Sequence, residues 1–63
     1  MTFQELGEIL KNEREAKGLT IKEVMEATKI SRVILLALES GDRSALPHPV
    51  YTKGFVKSYA RLL

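Results

Sequence analysis

The chain has 63 residues, room for one small domain that buries only about 60% of the surface its unfolded form exposes. With no cysteine and a single histidine it can build neither a disulfide framework nor a Cys/His zinc site, so apolar packing must supply the core. The formal charge of +2 hides an asymmetry: residues 1–42 hold eight acids and six bases, whereas residues 43–63 hold four bases (Arg43, Lys53, Lys57, Arg61) and no acid.

The basic C-terminal third suits phosphate or anionic lipid, although its plainest reading is a solvated helix face. Glu5, Glu8 and Lys11 fall where a signal peptide would be continuously apolar, and no apolar run is long enough for a membrane span, so the sequence reads as unsecreted and soluble.

The spacing of Phe3, Leu6, Ile9 and Leu10 predicts a first helix over residues 2–17, ended by Gly18. Arg14 continues the line Leu6, Leu10, so its stem points inward and its guanidinium needs a carboxylate. A second helix opens at Thr20, where Thr-Ile-Lys-Glu is a capping box, buries Ile21, Val24 and Met25, and fades near residues 27–28. Ser31 caps a third helix that Gly41 ends. Two short helices joined by such a turn make a helix-turn-helix.

The two prolines of residues 42–49 forbid a continuous helix there, and Leu46 is placed to plug the core. A last helix runs from residue 50 to the end, with no glycine, asparagine or proline to stop it after Gly54. The expected fold is all-α, a compact bundle of four to five short helices. The expected context is an N-terminal fragment of a longer chain.

No pattern calls for catalysis. Glu13 and Glu15 are two apart on a helix and do not face each other, and His48 sits between prolines without a relay partner. Gly7, Gly18, Gly41 and Gly54 are too scattered for a phosphate-cradling loop; each reads as a helix cap or a close-packing position. No metal, cofactor or small-molecule ligand is expected.

The helix-turn-helix resembles the Cro/repressor type, in which an arginine of the first helix pairs with a glutamate near the end of the third. The matching residues are Arg14 and Glu39, read as a structural ion pair. On the third helix, steps of 100° turn Ile34, Leu35 and Leu38 inward and Val33, Leu36, Ala37 and Ser40 outward. Those outward positions would read DNA in a repressor, yet apolar groups cannot form the bidentate base contacts worth about 1–3 kcal/mol each. For DNA binding there remain Lys29, Arg32 and Arg43 on phosphates, with Val33 and Leu36 against thymine methyls. Lys29 also stands where the repressor pattern has glycine, at a cost of about 1–2 kcal/mol if the backbone there is left-handed.

The last helix is richer. Tyr51, Phe55 and Tyr59 recur every four residues and form one ridge, extended by Val56, Ala60, Leu62 and Leu63, with Lys53, Lys57 and Arg61 on the opposite flank. This apolar arc is wider than the stripe of about 100° that a surface helix needs for its own core. One reading makes the ridge core; the other leaves part of it to a partner, a role tyrosine suits.

Taken together, Leu6-Gly7, residues 14–20 (REAKGLT), residues 27–30 (ATKI), residues 39–42 (ESGD) and above all SALPHPVYTKGFVKSYARLL resemble the N-terminal cytoplasmic helix-turn-helix domain of RodZ-type bacterial proteins. That resemblance implies a membrane-anchored, non-catalytic cell-shape protein whose cytoplasmic domain binds the actin-like filament protein MreB. The contact would use aromatic residues of the last helix, here Tyr51, Phe55 and Tyr59, with Lys53 and Lys57 as a basic rim. The alternative expectation is a DNA-binding regulator working through the third helix.

Overall fold

The computed structural model describes residues 1–46 and 49–63. In order come α1 (Phe3–Ala16), α2 (Ile21–Thr28), α3 (Arg32–Ser40), a single 3-10 turn (Arg43–Ala45) and α4 (Pro49–Leu62), with no strand among the described residues. The fold is the expected all-α bundle. His48 lies outside the described residues.

Local chemistry sets the helix starts. Thr20 caps α2 by accepting from the Glu23 amide at 3.1 Å, while Glu23 Oε1 accepts from the Thr20 amide at 2.9 Å. The same reciprocal box opens α1, between Thr2 and Glu5. Ser31 caps α3 through the Ile34 amide. Replacing such a cap by alanine costs about 1 kcal/mol. Pro49 is the first residue of α4, one position earlier than expected; there its missing N–H removes no intrahelical bond.

The stops are left-handed residues. Gly18 (φ 69°) follows α1 and Gly41 (φ 73°) ends α3. The end of α2 is different, because Lys29 itself takes φ 63°. The backbone there is left-handed without a glycine, and the strain anticipated for this lysine is present.

Leu10, Val24, Ile30, Leu35, Leu38 and Tyr59 form the buried core, and Phe3, Leu6, Ile34, Leu46, Phe55 and Val56 pack around it half-buried. Leu46 thus fills the place expected of it. Helices α1 and α3 approach closely. A Cβ on Gly7 would overlap the Leu38 carbonyl oxygen and stand 2.8 Å from that of Glu39, and one on Gly41 would lie 2.7 Å from Gln4 Cα. Helix α1 therefore lies directly on the C-terminal carbonyls of α3. Gly54 departs from the expected pattern: it is neither a cap nor closely packed, for a Cβ there would meet nothing within 4 Å.

Candidate functional site

Where α1, α3 and α4 meet, three side chains form one buried polar cluster. Arg14 Nε donates to Glu39 Oε2 at 2.7 Å and Nη2 to Oε1 at 3.2 Å, and Nη1 donates to the Leu19 carbonyl at 2.8 Å. The Tyr59 hydroxyl donates to Glu39 Oε2, the oxygen that also accepts from Arg14 Nε. No buried side-chain nitrogen or oxygen of the described residues lacks a partner, so the cluster is internally satisfied. The bond to Glu39 raises the Arg14 pKa. Burial, and after it the hydrogen bond and charge of Glu39, raise that of the Tyr59 phenol.

This arrangement corrects the reading of the α4 ridge. Tyr59 is wholly buried, a core residue and not a contact surface, while Tyr51 is 62% exposed and Phe55 is half-buried between them. A four-residue step advances 40° around a helix, so two such steps carry the line of aromatics from the core out to its edge. Beyond Tyr51, around the exposed half of α4, stand Ser58, Gly54, Arg61, Lys57 and Lys53, all exposed. Lys53 and Lys57 lie on the far flank of that half and border Tyr51 only across Gly54 and Ser58.

Between α4 and the α2–α3 turn runs a groove. Tyr51, Gly54, Phe55 and Ser58 form one wall and Thr28–Ile30 the other, enclosing about 340 Å³. Thr28 and Ser58 also line a second depression of about 290 Å³, beside Ala27, Arg61 and Leu62. Neither has an acidic lining residue, whereas Lys29 and Arg61 line one each.

The outer face of α3 presents Val33 (65% exposed) and Leu36 (47%) around a shallow depression of about 460 Å³ that also touches Lys11 and Asp42. Ala37, expected to face outward, is buried. It stands next to the buried arc, its methyl is short, and the chain folds back there as the Gly41 and Asp42 amides donate to its carbonyl. Arg32 and Lys29 are exposed at the start of α3. Arg43 is already engaged, its guanidinium 4.6 Å above the Phe3 ring. Among the described residues there is no cluster of carboxylates and imidazoles able to hold a metal ion, and no helix is long and apolar enough to cross a membrane.

Sequence reasoning missed the groove and the place of Gly54 in it. The only available signal was a glycine inside an otherwise helical pattern, with no turn to justify it.

Comparison with known proteins bears on the whole chain. No solved structure matches it. It is 38% identical over 60 residues to the cytoskeleton protein RodZ of Streptococcus pneumoniae, an alignment covering 95% of this chain and 22% of that protein, so the chain spans about a fifth of its relative's length. Residues 9–63 match the model of a helix-turn-helix domain family. With the buried Arg14–Glu39 pair and the capped α2–α3 unit in place, the chain belongs to that helix-turn-helix family and is a RodZ-like member of it.

Proposed function

We propose that the chain is a non-catalytic cytoplasmic adaptor that binds the actin-like filament protein MreB through α4, in a full-length protein tethered to the inner face of the cell membrane. Tyr51 and Phe55 provide the apolar contact, and Lys57 and Lys53, expected as its basic rim, add positive charge from the far flank of the same helix, across Gly54 and Ser58. Tyr59 takes part only by holding α4 in place.

The observation that carries this reading is the exposure of Tyr51 on a helix already anchored by Tyr59 and Phe55. A large exposed aromatic that lines a groove, on a helix whose neighbouring aromatics are buried or half-buried, has the character of an interface anchor. The likeness to a cytoskeleton protein supports the class of partner.

A second reading, DNA binding through α3, is favoured by the exposure of Lys29, on the turn before that helix, and of Arg32, its first residue. Against it, the residues that would meet base edges are Val33 and Leu36, which offer no hydrogen bonds.

An amide-shift titration of the isotope-labelled chain separates the two, with purified MreB and mixed-sequence duplex DNA as titrants at two salt concentrations. The adaptor reading expects MreB to shift residues 51–58 and DNA to give weak shifts that salt removes. Shifts centred on residues 31–40 that survive the higher salt with DNA, and none with MreB, would overturn it.

A further inference from the structure

Gly54 sits in the middle of a fourteen-residue helix, where glycine is a poor choice. Neither of the usual reasons applies. Its φ is not left-handed, and a Cβ would meet nothing within 4 Å, so neither backbone conformation nor packing demands it. Gly54 does line the groove between α4 and the turn at Thr28–Ile30, and it puts no side chain there.

The chemistry of the groove defines what fits. Tyr51, Phe55 and Ile30 make it apolar; Lys29 lines it and Arg61 lines the neighbouring depression that shares Thr28 and Ser58 with it, with no acid lining either. Lys57, exposed next to Gly54 around the helix, continues the same charge.

We propose that Gly54 is a specificity-determining position: its bare backbone opens a slot for one apolar side chain of the protein partner, carried on a segment whose flanking carboxylates meet Lys29 and Arg61. The inference rests on the reading of α4 as the partner-binding helix and deepens it. A side chain at position 54 would occupy the slot from within. The same change would favour the helix, so at this position stability and binding pull in opposite directions.

The test measures thermal unfolding of Gly54→Ala and Gly54→Leu, and their binding to purified MreB at low and moderate salt. Ala60→Leu is the control, since it adds comparable bulk, three carbons against four, at an exposed α4 position that does not line the groove. Gly54→Ala is expected to raise Tm by about 4–8 °C. Gly54→Leu, folded and no less stable than the parent, is expected to bind at least about fivefold more weakly, the low end of the cost of overfilling a packed site. The control binds as the parent does, and the parent's affinity falls as salt rises.

If the parent binds and Tyr51→Ala weakens it, but Gly54→Leu binds as tightly as the parent, the slot is refuted while the adaptor reading stands. If the parent does not bind MreB at all, both fall. Equal losses in Gly54→Leu and Ala60→Leu would also overturn the slot, by showing that any added bulk on α4 has the same effect.

Discussion

Tyr51 and Tyr59 lie eight residues apart on α4, yet one is 62% exposed and the other is sealed in the core with its hydroxyl on Glu39. The residue type is the same and so is the helix; what differs is the material packed against each end. Tyr59 is tied to Glu39 of α3 and, through it, to Arg14 of α1. Beside Tyr51 there is a groove and the α2–α3 turn. In the first place tyrosine is a polar tie through an apolar core, and in the second it is available area. The contrast argues that α4 is held at one end so that it can be presented at the other.

The strongest way to break the contrast is to remove the tie. Arg14→Ala would leave the Glu39 carboxylate buried without its counter-charge, at a cost of about 3–5 kcal/mol. A 63-residue domain has only roughly 3–9 kcal/mol in all. Circular dichroism of the variant should show a chain largely unfolded near 37 °C; a cooperative transition close to that of the parent would mean that the cluster contributes little.

Tyr51→Ala attacks the other end. Loss of an interface anchor costs about 2 kcal/mol or more, roughly thirtyfold in affinity. An exposed substitution changes stability by only about 0.5 kcal/mol. Calorimetric titration with MreB and a melting curve on the same sample should therefore move apart, with binding lost and Tm kept. A Tm that falls along with the affinity would place Tyr51 in the core's economy after all.

A milder probe of the tie is Tyr59→Phe, which takes one donor from Glu39 and costs about 1–3 kcal/mol. It also carries a pH signature. The phenol's pKa is raised in the folded chain above its ordinary value of about 10. A raised pKa means that the neutral phenol's contribution is complete below about pH 10 and is lost as the pH climbs through the folded-state value. The parent should thus lose stability more steeply than Tyr59→Phe above about pH 10 in melts followed from pH 8 to 12. Parallel slopes would count against the buried phenol.

How much of this was legible beforehand follows from the range of each interaction. The caps at Thr20, Ser31 and Gly41 could be read because a cap is made within three or four residues. The inward arc of α3 could be read because periodicity is local too, though not the burial of Ala37, which depends on a short side chain and on the chain's return past Gly41. Arg14 announced its need for a carboxylate; that Glu39, 25 residues away, would meet it came from a resemblance and not from spacing. The division of the α4 ridge between Tyr59 and Tyr51 was out of reach, since the angle at which a helix docks is set by its neighbours. An empty space such as the one beside Gly54 leaves no pattern in the sequence except a glycine without an evident reason.

The smallest effect tests whether the presented end has a cost. Lys29 holds φ 63° on the rim of the groove, where glycine would be the relaxed choice. Lys29→Gly should relieve about 1–2 kcal/mol of left-handed strain and give back about 0.5–1 kcal/mol to the freer unfolded chain. The net gain lies between about 0 and 1.5 kcal/mol, and its mid-range of about 0.75 kcal/mol corresponds to a Tm rise of roughly 3–6 °C. If that rise comes with weaker MreB binding and a shallower salt dependence, the strain is kept because an ammonium group is needed there. In that case the groove's charge, no less than its shape, is part of what α4 presents. If Tm rises and binding is untouched, Lys29 is a strained turn residue and nothing more, and the recognition belongs to Tyr51, Phe55 and the bases of α4 alone.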